Sequence, residues 1–310
     1  MVGHITTEPW CSSRVEGVTV QISAPFDYAR ATSVDDAIAL LDKFGEESRV
    51  IAGGHSLLPM MKLRLARPEA LVDINELDEL SYITDEGDHV RIGAMTRHYQ
   101  LIESPILARR FPIFADAGKV IADPLVRNRG TIGGSLCQAD PGEDLTAVCI
   151  VLDATVVLRG PNGERTLGMS EFHRGPYETA AEHNEILVEL RVPIRPSSGS
   201  AYEKVERRVG DYAVAASGAA VSLAADGTIA EIGIGLAAVG LDERPAEAEA
   251  VLRGKTPTDE LIASAAKLTS VAVEPIDDLR GTADYKRHLA EELTKRVIAL
   301  AIARAKGAQA

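Results

Sequence analysis

The sequence has 310 residues and a formal net charge of −13. This length exceeds what one typical core holds, so we expect two or three packed units. The acidic charge argues against non-specific nucleic-acid binding and against an anionic membrane surface, and no apolar run approaches the roughly 18 residues that would span a bilayer. The chain begins with a polar, irregular stretch at residues 1–21, which we interpret as an N-terminal extension without a secretory signal.

The first unit, residues 22–76, reads as strands around one helix. Ser33 is the predicted helix N-cap, Asp36 its capping-box partner and Gly45 the residue that ends the helix. The strands are predicted at Phe26–Ala29, Arg49–Ala52 and Ala70–Ile74.

The second unit, residues 77–195, reads as two hairpins with helices between them. Its strands are predicted at Ser81–Thr84, His89–Gly93, Thr155–Arg159, Glu164–Leu167 and Glu185–Val192. Gln100–Val120 is predicted to be helical, with interruptions at Pro105 and Pro112, and Glu143–Leu152 is a second predicted helix.

The third unit, residues 196–310, follows a linker at Pro193–Ser200. Strands and then helices predict a separate α+β unit in which a sheet packs on a helical layer. The predicted elements are strands at Tyr202–Glu206, Ala213–Ala224 and Thr228–Val239, and helices at Ala246–Leu252, Asp259–Val271 and Tyr285–Ala305. Gly233-Ile234-Gly235 loosely fits a dinucleotide pattern, but no βαβ unit surrounds it, so it is interpreted as a small-residue strand.

The three cysteines, Cys11, Cys137 and Cys149, include no Cys-x-x-Cys pair. Neither a zinc site nor an iron–sulfur cluster is therefore expected from this chain alone, and no metal ligands are predicted. A protein with few cysteines and no secretory signal is expected in the reducing cytoplasm.

Two glycine-rich segments are the most informative features. The first is Val50-Ile51-Ala52-Gly53-Gly54-His55-Ser56-Leu57, which runs from a strand into a glycine pair; the second is Thr131-Ile132-Gly133-Gly134-Ser135. Glycine permits positive φ and close backbone approach, and successive N–H groups in such turns bind anions, phosphate above all. Together the segments indicate one extended phosphate ligand held from two sides, although each alone is also compatible with a tight turn that binds nothing.

A hydrolytic role for His55 and Ser56 is disfavoured. A nucleophile elbow requires Gly-x-Ser-x-Gly, and the final glycine is missing from Gly54-His55-Ser56-Leu57-Leu58. His55 is better interpreted as a residue that supports the conformation of the loop.

Both segments resemble the flavin-binding signatures of the medium subunit of molybdenum hydroxylases, of the carbon monoxide dehydrogenase type within the xanthine dehydrogenase family. The resemblance covers about residues 22–300. Further matching motifs are Ala139-Asp140-Pro141 with Asp144, Glu185-Ile186-Leu187, Tyr202-Glu203-Lys204, Gly210-Asp211-Tyr212-Ala213 and Arg280-Gly281-Thr282-Ala283-Asp284-Tyr285. The resemblance implies an α+β fold, which consists of a two-subdomain FAD-binding fold of the vanillyl-alcohol-oxidase/PCMH type and a C-terminal α+β domain.

The resemblance also implies FAD and the residues that bind it. Val50–Leu57 would wrap the pyrophosphate, and Thr131–Ser135 would supply the second half of the cradle with its hydroxyls. Asp144 would accept from a ribose hydroxyl, Leu187 would pack near the isoalloxazine ring, and Ile121 would line the cleft. Lys204, the catalytic candidate, would stand near the N1/O2 edge of the flavin and stabilise its anionic reduced form.

Plainer interpretations of three of these residues stay open at this point. Asp144 could only cap a helix, Leu187 could be ordinary core, and Lys204 could be an exposed strand lysine.

The implied function is that of an FAD-binding electron-transfer subunit. Electrons would arrive from a small 2Fe-2S subunit, after oxidation of substrate on a large molybdenum-cofactor subunit, and would leave to a quinone, NAD or oxygen. The implied assembly is a dimer of heterotrimers. A stand-alone FAD oxidoreductase and a non-catalytic flavin-binding scaffold are the alternatives.

Overall fold

The computed structural model describes residues 22–240 and 244–307. The predicted N-terminal extension, residues 1–21, lies outside the described residues. Within them the fold is α+β, as predicted, and is built on two three-stranded sheets, one five-stranded sheet and a two-stranded ribbon. No helix in these ranges is both long and apolar enough to cross a membrane.

The first unit is a small parallel sheet covered by a helix. Its elements are β1 (Asp27–Arg30), α1 (Val34–Phe44), β2 (Ser48–Ile51), α2 (Leu57–Lys62) and β3 (Ala70–Asp73). Ser33 caps α1 by accepting from Asp36 N–H, and Gly45 ends it at φ 78°, as predicted. The Asp36 carboxylate, however, accepts from Thr32 rather than from Ser33, so the capping box is displaced by one residue. The strand order β1-β3-β2 places β2 at one edge of the sheet, and its carboxyl end leads into the first glycine segment.

The second unit is an antiparallel sheet in the order β4-β5-β10-β6-β7. Its strands, with the separate β8–β9 ribbon, are β4 (Ile83–Asp85), β5 (His89–Gly93), β6 (Thr155–Gly160), β7 (Gly163–Gly168), β8 (His173–Gly175), β9 (Glu178–Thr179) and β10 (Ile186–Pro193). Both predicted hairpins are confirmed, in the pairs β4–β5 and β6–β7.

Short helices cover this sheet. They are α3 (His98–Glu103), α4 (Pro105–Arg110), α5 (Ile113–Val120), α6 (Pro124–Arg127), α7 (Ile132–Gln138), α8 (Asp144–Val151) and α9 (Met169–Phe172). The predicted interruptions are confirmed: Pro105 starts α4 behind the N-cap Ser104, and Pro112 precedes α5. Because proline lacks an N–H, it is tolerated at a helix start but breaks a helix interior.

The third unit is a meander with helices on one side, and the short linker before it is Ile194–Ser197. Its elements are β11 (Ser198–Glu206), β12 (Ala213–Leu223), β13 (Ile229–Ala237), α10 (Ala246–Leu252), α11 (Asp259–Ala272) and α12 (Ala283–Ala305). The long helix α12 packs across β11 and β12. The strand interpretation of Gly233-Ile234-Gly235 is confirmed, since all three residues lie in β13.

The second and third units share one hydrophobic core. Tyr202 and Ala216 of the third sheet pack in the same buried cluster as Phe114 of α5 and Leu145 of α8. The glycines of β13 explain how close the two units come, because a Cβ on Gly233 would lie 2.2 Å from a carbonyl oxygen of α8. This packing holds the third sheet against α8, and Tyr202 and Lys204 of β11 bond to Asp144 at the start of that helix.

Candidate functional site

A cavity of about 920 Å³ lies where the three units meet. Its wall includes the segment after β2, the start of α7, the start of α8 and the side of β11 that carries Lys204. Ligand pockets typically measure about 300–1,000 Å³, so this cavity is large enough for an extended ligand.

The first glycine segment presents unused main-chain donors to this cavity. In the described part of the chain, the N–H groups of residues 53–56 donate to no protein acceptor. Gly54 has φ 77°, the left-handed conformation that turns successive N–H groups toward one side. The Nδ1 atom of His55 lies 3.0 Å from the Gly53 carbonyl oxygen, which confirms that His55 supports the loop. Four open amides at a cavity wall are available to donate to an anion, and residues 53–56 are called the nest below.

The second glycine segment has a different structure from the expected loop. Thr131 is the N-cap of α7, and residues 132–135 form its first turn. Gly134 N–H donates to Thr131 Oγ1 at 3.1 Å, and Gly133 N–H donates to the Ala94 carbonyl at 2.9 Å. These amides are therefore already satisfied, and the expectation of a second glycine turn was wrong. The segment lines the cavity with the hydroxyl-bearing residues Thr131 and Ser135 and with the surface of its two glycines.

The first segment meets the backbone just before the second segment. A Cβ on Gly53 would lie 2.3 Å from the Arg129 carbonyl oxygen. No side chain fits in that space, so glycine at position 53 is what lets the first and second units approach.

Asn75 holds this junction together. Its Nδ2 donates to the Ala52 carbonyl at 2.5 Å, and its Oδ1 accepts from Arg97 at 3.1 Å and from Arg129 at 3.3 Å. One amide side chain, from the loop after β3, thus links the first glycine segment to Arg97 and to Arg129, which lies two residues before the second segment. This role of Asn75 was not predicted from the sequence.

On another part of the wall, Lys204 forms a buried ion pair. Its Nζ lies 2.9 Å from Asp144 Oδ2 and 3.7 Å from Glu206 Oε2, and only 1% of the side chain is exposed. Tyr202 donates to Asp144 Oδ1 at 2.7 Å. The interpretation of Lys204 as an exposed lysine was therefore wrong.

The electrostatics of this pair follow from burial. Desolvation raises the pKa of Asp144, although the Lys204 ammonium and the Tyr202 hydroxyl favour the charged carboxylate. The pKa of Tyr202 is raised by burial and by the same carboxylate. Both oxygens of Asp144 already accept from protein groups, so a ribose contact would use its remaining lone pairs and stays a prediction.

The predicted apolar residues also lie at the wall. Ile121 and Leu187 are 7% and 4% exposed, and both line the cavity. Among the predicted residues, Ile132 is the exception. It is fully buried in the core with Leu136 and does not line the cavity, because it lies on the inner side of the first turn of α7.

Two titratable residues that the sequence analysis did not select also line the cavity. His98 is buried with Nε2 3.1 Å from Ser135 Oγ, and desolvation lowers its pKa to about 4. Glu143, next to Asp144, has its pKa raised to about 7, by burial first and then by the charges of Asp144 and Asp140. Neither His98 nor Glu143 belongs to a recognisable sequence motif, so each is identified as a site residue only by its position in the fold. Within residues 22–240 and 244–307, no group of three or more His, Cys, Asp or Glu side chains is placed to hold a metal ion.

Comparison with known proteins identifies related chains. A family model described as the FAD binding domain in molybdopterin dehydrogenase matches residues 24–195, and one described as the CO dehydrogenase flavoprotein C-terminal domain matches residues 200–301. The chain is 47% identical to the carbon monoxide dehydrogenase medium chain of Hydrogenophaga pseudoflava, over 90% of this chain and 98% of that relative. It is 42% identical to the corresponding chain of Afipia carboxidovorans, over 92% and 99%.

A solved structure agrees with these matches. The carbon monoxide dehydrogenase from Hydrogenophaga pseudoflava that lacks the Mo-pyranopterin moiety of the molybdenum cofactor superposes with a TM-score of 0.88 at 47% identity, covering 91% of this chain and 99% of that one. The predicted two-subdomain cofactor-binding fold with its C-terminal domain is thereby confirmed.

Proposed function

Because this chain belongs to the family of FAD-binding medium subunits of molybdenum hydroxylases, we propose that it transfers electrons from the iron–sulfur clusters of a partner subunit to an external acceptor. The acceptor would be a quinone, NAD or oxygen. One observation carries the proposal: a single cavity joins an anion nest at residues 53–56 to the buried ion pair of Lys204 and Asp144.

Bound FAD supplies the redox chemistry, since a flavin can exchange electrons singly or in pairs. The open amides of residues 53–56 would donate to its pyrophosphate, with Val50, Ile51, Ala52 and Leu57 forming the adjacent wall. Thr131 and the segment Gly133–Ser135 would contact the cofactor on the opposite side through their surface and hydroxyls. Together these groups would orient the cofactor.

The apolar and charged residues would position the ring system. Leu187 and Ile121 would exclude water from its faces, because both side chains are buried at the cavity wall. Lys204 would place a fixed positive charge near the edge where negative charge accumulates on reduction. The Asp144 carboxylate holds that ammonium in place, and Tyr202 holds the carboxylate. A cation fixed before reduction needs no reorganisation when the charge appears.

Partner chains follow from the names of the relatives, which are medium chains of carbon monoxide dehydrogenases. We propose a large molybdenum-cofactor subunit that oxidises the substrate and a small 2Fe-2S subunit that delivers the electrons. The assembly would be a dimer of heterotrimers in the cytoplasm.

The test is to isolate the assembly through a tag on this chain and to add a substrate of the molybdenum subunit without air. The oxidised flavin absorbance should disappear in the assembly, and the isolated chain loaded with FAD should not respond to the same substrate. Flavin reduction by a small molecule in the isolated chain would favour a stand-alone oxidoreductase. An assembly whose flavin never responds would favour a scaffold.

A matched pair of variants sharpens this test. Lys204→Met removes the ammonium group at the cavity wall. Lys267→Met changes an exposed lysine of α11 that does not line the cavity. The proposal predicts a slower or less complete flavin reduction in the first assembly and an unchanged reduction in the second. Equal behaviour of the two variants would remove Lys204 from its proposed role.

A further inference from the structure

Glu143 occupies a part of the cavity wall where negative charge exceeds positive charge. Lys204 contributes a cation, but it is paired with Asp144 and lies 3.7 Å from Glu206. Glu143 and Asp140 add two further carboxylates. Because crowded carboxylates disfavour one another's charge, a carboxyl group here that lacks a cationic partner is favoured to hold a proton.

Glu143 is the member of this group best placed to do so. No basic side chain in the described ranges lies within ion-pair distance of it, whereas the Asp144 carboxylate has both Lys204 and Tyr202. Its main-chain N–H donates to the Asp140 carbonyl at 2.9 Å, which fixes the backbone at the start of α8. The side chain lines the cavity, so its carboxyl group can exchange protons with cavity water.

The groups that face this region come from every element packed around it. They are His98 of α3, Cys137 of α7, Asp144 and Cys149 of α8, Tyr202, Lys204 and Glu206 of β11, and the loop residues Asp140, Tyr177, Asp211 and Tyr212, with Arg207 and Arg280 paired to Asp211. The His98 imidazole is neutral near pH 7, because burial lowers its pKa to about 4. The thiols and phenols among them are neutral as well, so the acids, Lys204 and the two arginines decide the local charge.

Reduction of FAD adds negative charge to this acidic cavity, and that charge raises the proton affinity of any carboxylate nearby. We propose that Glu143 takes up a proton when the FAD held in this cavity is reduced, so that reduction by two electrons consumes two protons instead of one. The two electrons and the first proton enter the flavin, whose reduced form carries one negative charge. The second proton comes from solvent and binds a carboxylate oxygen of Glu143, and no other bond is made or broken.

The pH range of this uptake follows from the sign of the shift. Burial and the neighbouring acids hold the pKa of Glu143 at about 7. Above that pH the carboxylate is ionised while the flavin is oxidised, and it binds a proton when the reduced flavin adds its charge. Below that pH it is protonated in both states and contributes nothing.

The experiment is a redox titration of the full chain loaded with FAD, reduced stepwise with dithionite at several pH values from 7 to 9. The slope of the midpoint potential against pH should be about twice as steep in the wild type as in Glu143→Gln, since it counts protons per electron pair. Glu178→Gln, a change at an exposed strand residue outside the cavity, should keep the wild-type slope. A wild-type slope equal to that of Glu143→Gln overturns the proposal.

A second measurement needs no variant. At pH 8 the infrared difference spectrum of the wild type, reduced minus oxidised, should gain the C=O band of a protonated carboxyl group, and the absence of that gain also overturns the proposal. The proposal rests on the proposed function only in assuming that this flavin is reduced during turnover. Both measurements use a chemical reductant and no partner, so their failure leaves electron delivery by a partner untouched. If a partner failed to deliver electrons, the slope of the midpoint potential against pH would in turn be unchanged.

Discussion

Gly53 lies so close to the Arg129 carbonyl oxygen that a Cβ on Gly53 would come within 2.3 Å of it. The sequence motif assigned Gly53 to close approach by a phosphate. The structure shows that the nearest neighbour is protein backbone, at the junction between the first and second units. The glycine therefore positions the nest rather than only making room for a ligand.

Gly53→Ala should separate the two units, and Gly53→Val should do so more severely. Overpacking of this kind costs about 1–3 kcal/mol, and displacement of the nest should weaken FAD binding by at least about tenfold. FAD dissociation constants and denaturant unfolding measure the two effects. Gly175→Ala is the control, because no atom lies within 4 Å of a Cβ there. Unchanged FAD affinity in Gly53→Ala would refute the assignment of this junction.

Asn75→Ala should weaken FAD binding although Asn75 lies outside the cavity wall. The change removes the donor to the Ala52 carbonyl and the acceptor for Arg97 and Arg129. The three lost hydrogen bonds cost about 1 kcal/mol each; about half of that loss, carried to the nest, corresponds to a rise of roughly tenfold in the FAD dissociation constant. Asn184→Ala removes one exposed contact, to Asp42, and should leave the affinity as it is. Equal affinities for the two variants would contradict the positioning role.

Lys204→Met should lower both the flavin midpoint potential and the stability of the fold. Removing one partner of a buried pair leaves the other uncompensated, at a cost of about 3–5 kcal/mol. The double variant Lys204→Met with Asp144→Asn should recover part of the stability, because the neutral amide at position 144 needs no cationic partner. It should not recover the midpoint potential, because the cation at position 204 is still missing. Denaturant unfolding gives the coupling energy between the two residues. Additive stability effects would show that the contact contributes nothing.

His98 should make the protein less stable in acid. Burial lowers its pKa from 6.5 to about 4, so the unfolded chain binds a proton that the folded chain excludes. This contribution is complete above pH 6.5 and is lost as the pH falls toward 4, by about 3 kcal/mol at 1.36 kcal/mol per pKa unit. His98→Gln should therefore lose less stability than the wild type between pH 7 and pH 4.5.

The measurement is denaturant unfolding of both proteins across that range. Glu143 acts in the opposite sense: its pKa is raised from 4.5 to about 7, so its contribution is lost as the pH rises. Glu143 is present in both proteins, and the difference between them isolates His98. His288→Gln, at an exposed helix position, should follow the wild type. A variant curve parallel to the wild type would place the His98 ring in contact with water.

Much of the fold was predictable because the relevant physics is local. Pro105 and Pro112 interrupt helices through missing N–H groups, Gly45 ends α1 through a positive φ, and Asp226-Gly227 marks the turn between β12 and β13. The start of α7 was missed because its two glycines resemble a turn. The N-cap hydroxyl of Thr131 and the contact with Ala94 make a helix there instead.

The sequence by itself determined the family, the cofactor and the open nest, because runs such as Ala52–Leu57 and Tyr202-Glu203-Lys204 carry their backbone requirements and charges in adjacent residues. The tertiary structure decided what those residues contact. Only the tertiary structure shows that the Gly53 backbone lies against Arg129 and that Ile132 is part of the core. It also shows that Asn75 connects Ala52 with Arg97 and Arg129. The titration of Glu143 and His98 is likewise set by burial and by neighbours distant in the chain, since desolvation and charge depend on distance in space and not on spacing in sequence.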